Sequence, residues 1–230
     1  MPVFNLGSSD ITDVRVGSTR AKSVYLGSNL IWPTTNQWAF FDDFERTAWN
    51  ANNTWQLTSS TGVTIAGASP TRYLQKDNTN GSADIWTVQY FDCRPNLEVS
   101  CKLGPIDDDA QRAAILMGAP VGDPHGFLDM VYLEFSQQAI LIGRYYGSTW
   151  ATLNTLAVQT WSANDTITFK KVGSKFSVLK NGTEVGYATY ANLDNTRGSY
   201  TRVGLSVRRD SNAFGTYYGP TFDDIKVSTY

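Results

Sequence analysis

The sequence is poor in the residues that build most catalytic and metal centres. It contains one histidine and two cysteines among 230 residues. The histidine, His125, lies in a turn-rich stretch and has no second imidazole for a zinc site or for a nucleophilic triad. Cys93 and Cys101 fall on two predicted neighbouring strands, too far apart for a disulfide. We therefore predict two reduced thiols and a histidine without a catalytic role.

Charge and long apolar runs are also scarce. Only 17% of the residues are charged, and the net charge is −2 with an isoelectric point near 5.4. The scattered lysines and arginines do not form the basic face of a nucleic-acid-binding protein, so no nucleic-acid partner is expected. Neither a secretory signal nor a stretch long enough to span a bilayer is present. These absences predict a protein made in the cytoplasm without membrane insertion.

Aromatic residues and glycines are abundant instead. Aromatics make up 13% of the chain, and there are nineteen glycines, a composition typical of short strands joined by tight turns. Residues 167–190 are the most diagnostic, since apolar residues alternate on both sides of Gly173-Ser174, and Asn181-Gly182 supplies a type I′ turn sequence before the chain returns. We predict an all-β fold for residues 34–230, a two-sheet antiparallel jelly-roll sandwich.

The first 33 residues form a separate unit in the sequence pattern. Pro33 ends it, and a polar stretch follows. Two or three short strands cannot bury a core of their own, so residues 1–33 must pack on something else. We predict a short β arm with a hairpin, used for attachment or assembly. The residues that form the hairpin are Val24, Tyr25, Leu26, Ile31 and Trp32.

Two motifs resemble known families, the first through the body of the chain. The three-stranded pattern with its Asn181-Gly182 turn resembles concanavalin-A-like lectin and laminin-G-like domains. So does the pairing of Phe41-Asp42-Asp43-Phe44 with Phe222-Asp223-Asp224-Ile225. This resemblance implies a jelly roll whose first and last strands lie side by side.

The second resemblance concerns the arm. Val24-Tyr25-Leu26-Gly27 followed by Ile31-Trp32-Pro33 is similar to amino-terminal modules of minor tail proteins in phages of actinobacteria. It implies a virion tail protein that assembles in the host cytoplasm, is homo-oligomeric and contacts other tail proteins through the arm. The alternative is an ordinary hairpin that extends the sandwich.

Carboxylate spacing argues against hydrolysis of glycosidic bonds. Glycosidases need two carboxyl groups roughly 5 to 9 Å apart, which two strand residues on one face can supply. Asp129 and Glu134 are five residues apart and point to opposite faces. We therefore predict that the protein is not an enzyme, with a carbohydrate-active enzyme as an alternative. No cofactor is required, although Asp43 and Asp223 could bind a structural calcium ion where the terminal strands meet, or else cap strand ends.

Sugar binding is the favoured function. Sugars bind to aromatic rings beside polar side chains, and the candidates are Trp86, Tyr132, Arg144, Tyr146 and Trp150, with Arg144, Tyr146 and Trp150 around one turn. The alternatives are burial in the core and a subunit interface. We predict a tail or tail-tip protein that contacts host-surface glycans, or a purely structural spacer or decoration protein of the virion.

Overall fold

A computed structural model gives the structure of most of the chain and divides it into two compact units. One unit comprises Met1–Gln37 with Tyr230, and the other comprises Trp38–Thr229. Within the described ranges no helix is long and apolar enough to cross a membrane. The described residues are 15–16, 19–20, 24–26, 29–32, 38–47, 49, 55–57, 62–88, 91–92, 96–106, 112–118, 129–136, 139–146, 149–157, 159–191, 200–213 and 215–229.

The amino-terminal unit contains four short strands in the described residues. They are β1 (Arg15–Val16), β2 (Thr19–Arg20), β3 (Val24–Leu26) and β4 (Asn29–Trp32). Strand β1 pairs with β2, and β3 pairs with β4, both antiparallel. The hairpin predicted in the arm is therefore confirmed.

The larger unit is all-β in its described residues. Its strands follow one another at short spacing, as the dense aromatic and glycine content predicts. They are β5 (Trp38–Asp42), β6 (Trp55–Leu57), β7 (Val63–Ala66), β8 (Tyr73–Lys76), β9 (Gly81–Thr87), β10 (Phe91–Asp92), β11 (Asn96–Leu103), β12 (Ala113–Met117), β13 (Asp129–Phe135), β14 (Ile140–Tyr146), β15 (Thr149–Leu156), β16 (Thr166–Val172), β17 (Lys175–Lys180), β18 (Thr183–Thr189), β19 (Tyr200–Thr201), β20 (Val203–Asn212), β21 (Gly215–Tyr218) and β22 (Phe222–Thr229).

Two antiparallel sheets hold most of these strands. The first sheet has the order β18-β17-β16-β11-β22-β8-β7, with β5 paired to β22. The second sheet has the order β15-β14-β13-β12-β20-β9-β6, with β21 paired to β20. Strands β10 and β19 form a separate pair. The prediction of a two-sheet antiparallel sandwich is confirmed.

The core lies between the two sheets, and strand β11 shows the alternation of apolar and polar residues that builds it. On β11, Leu97, Val99, Cys101 and Leu103 are buried, whereas the residues between them are only partly buried. Aromatic contacts join the sheets, as between Phe135 and Phe222, whose ring centroids are 6.0 Å apart. Cys101 is a free buried thiol, and burial raises its pKa, so the predicted reduced core thiol is confirmed for this residue.

The predicted three-stranded segment is present as β16, β17 and β18. Phe169 lies opposite Val178 in the register of β16 and β17. Asn181 and Gly182 have φ angles of 48° and 82°, as a type I′ turn requires. The Asn181 side chain closes the turn, since its Oδ1 accepts from the backbone N–H of Thr166 at 2.8 Å and its Nδ2 donates to Asp165 at 2.7 Å.

The first and last strands of the larger unit lie side by side. Strand β5 pairs with β22, and Asp42 lies opposite Ile225. Asp42 is buried and accepts hydrogen bonds from Trp55 Nε1 at 2.6 Å and from both terminal nitrogens of Arg46. The arrangement implied by the lectin resemblance is therefore confirmed, and it has a buried polar anchor.

Candidate functional site

The outer face of the second sheet carries the main concentration of aromatic side chains outside the core. Residues directly opposite each other on antiparallel strands share a face, so the register of the sheet defines rows that cross it. One row runs from β6 to β15. Its residues are Gln56, Trp86, Gly204, Leu116, Tyr132, Gly143 and Thr152.

The neighbouring row crosses β13, β14 and β15 in direct register and contains Met130, Tyr145 and Trp150. Together the two rows form a second apolar cluster on this outer face, separate from the core between the sheets. We call this cluster the aromatic face, and it comprises Trp86, Leu116, Met130, Tyr132, Tyr145 and Trp150.

Two glycines make room for the rings of this face. A β-carbon at Gly204 would lie 2.8 Å from Trp86 Cε3, and one at Gly143 would overlap the Tyr132 ring. Both rings therefore reach over the neighbouring strand at a position without a side chain. A glycine inside a strand commonly marks such a close approach.

Accessibility rises across the face toward strand β15. Trp86 is 0% exposed and Tyr132 is 8% exposed, whereas Trp150 is 56% exposed. The Trp150 ring meets Tyr132 edge-on at 5.2 Å and lies 4.5 Å from the Tyr145 ring, between centroids. The β14–β15 end of the aromatic face therefore presents a ring surface to solvent that is held in place by two tyrosines.

Polar groups border the rings on one side. Glu134, two residues from Tyr132 on the same face of β13, forms an ion pair with Arg112. Burial raises the pKa of Tyr132, the Glu134 carboxylate raises it further, and Arg112 opposes this. A carboxylate and a guanidinium therefore lie within electrostatic reach of the Tyr132 hydroxyl.

Asp84 is a further carboxylate on this side of the sheet. It shares a row with Ser206, Ala114 and Glu134. Burial raises the pKa of Asp84, and a hydrogen bond from Ser206 opposes the rise. Asp84 and Glu134 are separated by two intervening strands, about 14 Å at the usual strand spacing. That separation exceeds the roughly 5 to 9.5 Å of a glycosidase carboxylate pair.

The structure divides the predicted sugar-binding residues between two faces. Trp86, Tyr132 and Trp150 lie together on the outer face. Arg144 pairs with Val131 and so lies on the inner side of the sheet, where its guanidinium is 5.5 Å from the Tyr190 ring centroid.

Tyr146 follows Arg144 by two residues and shares its side of the sheet. The grouping of Arg144 and Tyr146 with Trp150 is corrected, because Trp150 pairs with Tyr145 rather than with Arg144. The sequence pattern of β14 alone does not set this register.

Asp43 and Asp223 take part in local contacts. Asp43 Oδ1 accepts from the backbone N–H of Glu45 at 3.0 Å, and Asp223 Oδ2 accepts from Lys102 Nζ at 3.0 Å. No group of three or more His, Cys, Asp or Glu side chains in the described part of the chain is placed to hold a metal ion. Calcium binding by Asp43 and Asp223 stays a prediction, which a thermal melt with added Ca²⁺ against one with chelator tests directly.

Several sequence-based predictions fall on positions that the structure does not describe. Cys93 and His125 lie outside the described residues. In the arm, the backbone of Val24, Tyr25 and Leu26 forms β3, and Ile31 and Trp32 belong to β4. Their attachment role stays a prediction.

Comparison with solved structures supports the same reading of the architecture. A Bacillus subtilis protein of unknown function with a galectin-like fold aligns with a TM-score of 0.58 and 11% identity, over 84% of this chain and 96% of that chain. The carbohydrate-binding module CBM66 from Bacillus subtilis aligns with a TM-score of 0.52 and 12% identity, over 76% and 96%. An endo-β-1,3-glucanase from Pyrococcus furiosus aligns with a TM-score of 0.55 and 14% identity, over 84% and 94%.

The fold is a lectin-like jelly roll. At these identities the likeness concerns the fold alone. No protein-family model and no curated protein matches the sequence. The comparisons therefore define the architecture of the chain and leave its function open.

Sequence reasoning missed part of this face. Tyr145 and Arg112 were not recognised, because their roles depend on the partners that register gives them. A signal for Gly143 and Gly204 was available, since an isolated glycine inside a strand pattern indicates a bulge or a close approach. Leu116 and Met130 read as ordinary core residues, whereas they lie on the outer face.

Proposed function

We propose that this protein binds oligosaccharides through the aromatic face of its second sheet. One observation carries the proposal: Trp150, more than half exposed, stands on an outer sheet face beside Tyr132 and Tyr145. The fold does not need a ring at an exposed position of an edge strand. Pyranose rings have apolar C–H faces that stack on such side chains, and aromatic residues are frequent anchors of binding sites.

The dimensions of the face favour a ligand of several sugar units. Residues on one face recur about every 7 Å along a strand. Glu134 lies two such steps from the row of Trp150, so about 14 Å separates the backbones of these two positions along the strand direction. The face is therefore longer than a single sugar ring. An oligosaccharide that stacks on Trp150 and reaches the polar pair with its hydroxyls fits the arrangement.

The described residues support binding of the oligosaccharide without cleavage. Asp84 and Glu134 lie too far apart for paired acid and base, and Glu134 is engaged by Arg112. Structures with this fold include both a carbohydrate-binding module and a glucanase. A reducing-sugar assay on the ligands that bind separates the two: product release would replace the binding proposal with a hydrolase.

The test of binding is a glycan array probed with the full chain. The proposal expects a restricted set of oligosaccharides to be bound, and expects Trp150→Ala to abolish those signals while the variant melts at the same temperature. An array without signals, or signals that persist in Trp150→Ala, would contradict the proposal that the aromatic face binds oligosaccharides. A blank array would favour the purely structural alternative.

The second part of the proposal concerns biological context. We propose that the chain is a virion tail protein, that residues 1–33 attach it to other tail proteins, and that its ligand is a glycan of the host surface. Support comes from the β3–β4 hairpin and from the Val24-Tyr25-Leu26 and Ile31-Trp32 motif that it contains.

Deletion of residues 1–33 tests this context. The truncated protein should keep its glycan binding but no longer be incorporated when particles are assembled in its presence. Particle incorporation at the full-length level would contradict the attachment role. A truncated protein that loses glycan binding would contradict the independence of the two units.

A further inference from the structure

A cleft of about 210 Å³ lies at one end of the sandwich, away from the aromatic face. It forms where the β7–β8 connection, the end of β11, the turn before β16 and the start of β22 meet. All of its lining residues belong to the larger unit. They include Gly67, Tyr73, Leu103, Gly104, Asn164 and Asp223.

Two glycines shape this cleft around one aromatic ring. A β-carbon at Gly67 would lie 2.6 Å from the carbonyl oxygen of Thr71 and 3.0 Å from Tyr73 Cε1. One at Gly104 would lie 2.5 Å from Thr221 Oγ1 and 3.0 Å from Tyr73 Cβ. The Tyr73 side chain is therefore held between two positions without side chains and forms an apolar wall.

A buried carboxylate supplies the polar part of the cleft. Asp223 is 7% exposed, and its oxygens accept from Lys102 Nζ at 3.0 Å and from the backbone N–H of Asp224 at 2.9 Å. A carboxylate has about four acceptor positions, so Asp223 retains capacity for further donors. Because Lys102 balances its charge, the position suits a neutral donor better than a second cation.

Asn164 adds an amide to the lining of the cleft. Asn164 has a φ of 73°, and its backbone N–H donates to the carbonyl of Leu103 at 2.8 Å, which fixes the turn. Its side chain is exposed and makes no hydrogen bond to another described residue. An amide both donates and accepts, as does a sugar hydroxyl.

We propose that this cleft is a second ligand site, which binds a single neutral sugar ring independently of the aromatic face. Sites for drug-sized ligands occupy roughly 300–1,000 Å³, so this smaller cleft suits a ligand of one ring. The ring packs on Tyr73, and its hydroxyls donate to Asp223 and exchange hydrogen bonds with the Asn164 amide. The site does not depend on the proposed oligosaccharide binding.

Backbone-amide NMR of the full chain with D-glucose, D-galactose or D-mannose at millimolar concentration tests the proposal. At least one hexose should shift the amide signals of Gly67, Gly104 and Asn164, in the presence of chelator. The shifts should persist in Trp150→Ala, which removes the aromatic face. Asn164→Gly should weaken the affinity about fivefold, the value of roughly one hydrogen bond.

The Asn164→Gly variant keeps the fold, since glycine adopts the left-handed backbone at this position without strain. An unchanged melting temperature confirms that control. Three outcomes overturn the proposal: no shift with any of the hexoses, shifts that vanish in Trp150→Ala, and shifts produced by Ca²⁺ but by no sugar. The last outcome would make the cleft a cation site.

Discussion

The outer faces of the two sheets differ, although their inner faces are alike. On the first sheet, polar side chains that lie directly opposite one another on neighbouring strands form short-range pairs. The pairs are Glu98 with Lys170 at 3.4 Å, Ser100 with Thr168 at 3.1 Å and Lys102 with Asp223 at 3.0 Å.

The corresponding positions of the second sheet carry Leu116, Met130, Tyr132 and Trp86. No hydrogen-bond partner for the indole N–H of Trp86 is found among the described residues. An antiparallel sheet commonly faces water with polar residues on its outer side, as the first sheet does. The second sheet departs from that pattern because its outer face carries these apolar and aromatic side chains. The second sheet therefore buries an additional apolar cluster on its outer side, and only the Trp150 end of that cluster is exposed, which is the feature on which the proposed binding rests.

The largest expected effect comes from exchanging side chains between the two faces. Leu116→Ser should destabilise the domain by about 2–4 kcal/mol, because it removes a buried aliphatic side chain from between rings. The matched change Ser100→Leu on the first sheet should cost about 0.5 kcal/mol or less, since the position is only partly buried. Denaturant unfolding of both variants measures the difference. Equal losses would mean that the two outer faces are equivalent in stability.

A smaller effect is expected at the turn that sets the register of the first sheet. Gly182→Val places a β-branched residue at a φ of 82° and should cost about 1–2 kcal/mol. The space around this glycine is open, so the cost comes from the backbone alone. Gly182→Asn is the control and should cost less, because asparagine tolerates the left-handed region. Thermal melts of the two variants compare them, and identical melting temperatures would contradict the type I′ turn.

The contributions of two carboxylates to the stability of the fold should change with pH in opposite directions. Burial acts to raise the pKa of Asp165, but hydrogen bonds from Asn181, Ser162 N–H and Lys180 outweigh it, so this pKa lies below its ordinary value of 3.8. Asp165 therefore stabilises the fold above that value and loses its contribution as pH falls through the lowered folded pKa. Asp165→Asn should lower the melting temperature at pH 7, and its deficit should shrink in acid.

Asp84 on the aromatic face is the opposite case. Burial raises its pKa above 3.8, so the charged form is disfavoured in the folded state. Below the ordinary pKa the Asp84 carboxyl is protonated and does not lower the free energy of unfolding. As pH rises through the raised folded pKa the carboxyl becomes charged and the stability of the fold falls. Asp84→Asn should therefore raise the melting temperature at pH 7, with the gain vanishing in acid. A lowered melting temperature at pH 7 would show that the charged form is stabilised there.

The parts of the structure that depend on local sequence could be predicted. The β16–β18 segment follows from alternating apolar residues and from the Asn181-Gly182 turn, whose backbone preference is intrinsic to those two residues. The pairing of β5 with β22 was implied by the lectin resemblance. Both are statements about strands and turns, for which a few neighbouring residues suffice.

The candidate site could be predicted only in part, because its neighbours are distant in the chain. Trp86 meets Gly204, and Tyr132 meets Gly143, through a register that no short segment encodes. The sequence singled out Trp150 but grouped it with Arg144, since strand alternation does not give the offset between β14 and β15. Strand periodicity predicts which face of the sheet a side chain occupies, whereas strand pairing determines which side chains lie beside it.

The most direct test of the account compares one exposed aromatic residue from each outer face. Trp150 on β15 and Tyr187 on β18 both lie on edge strands and are 56% and 51% exposed. Calorimetric titration with the strongest array ligand should show at least a tenfold weaker affinity for Trp150→Ala, about 1.4 kcal/mol, and an unchanged affinity for Tyr187→Ala. Unchanged affinity in Trp150→Ala, or a loss confined to Tyr187→Ala, would contradict the assignment of binding to the second sheet.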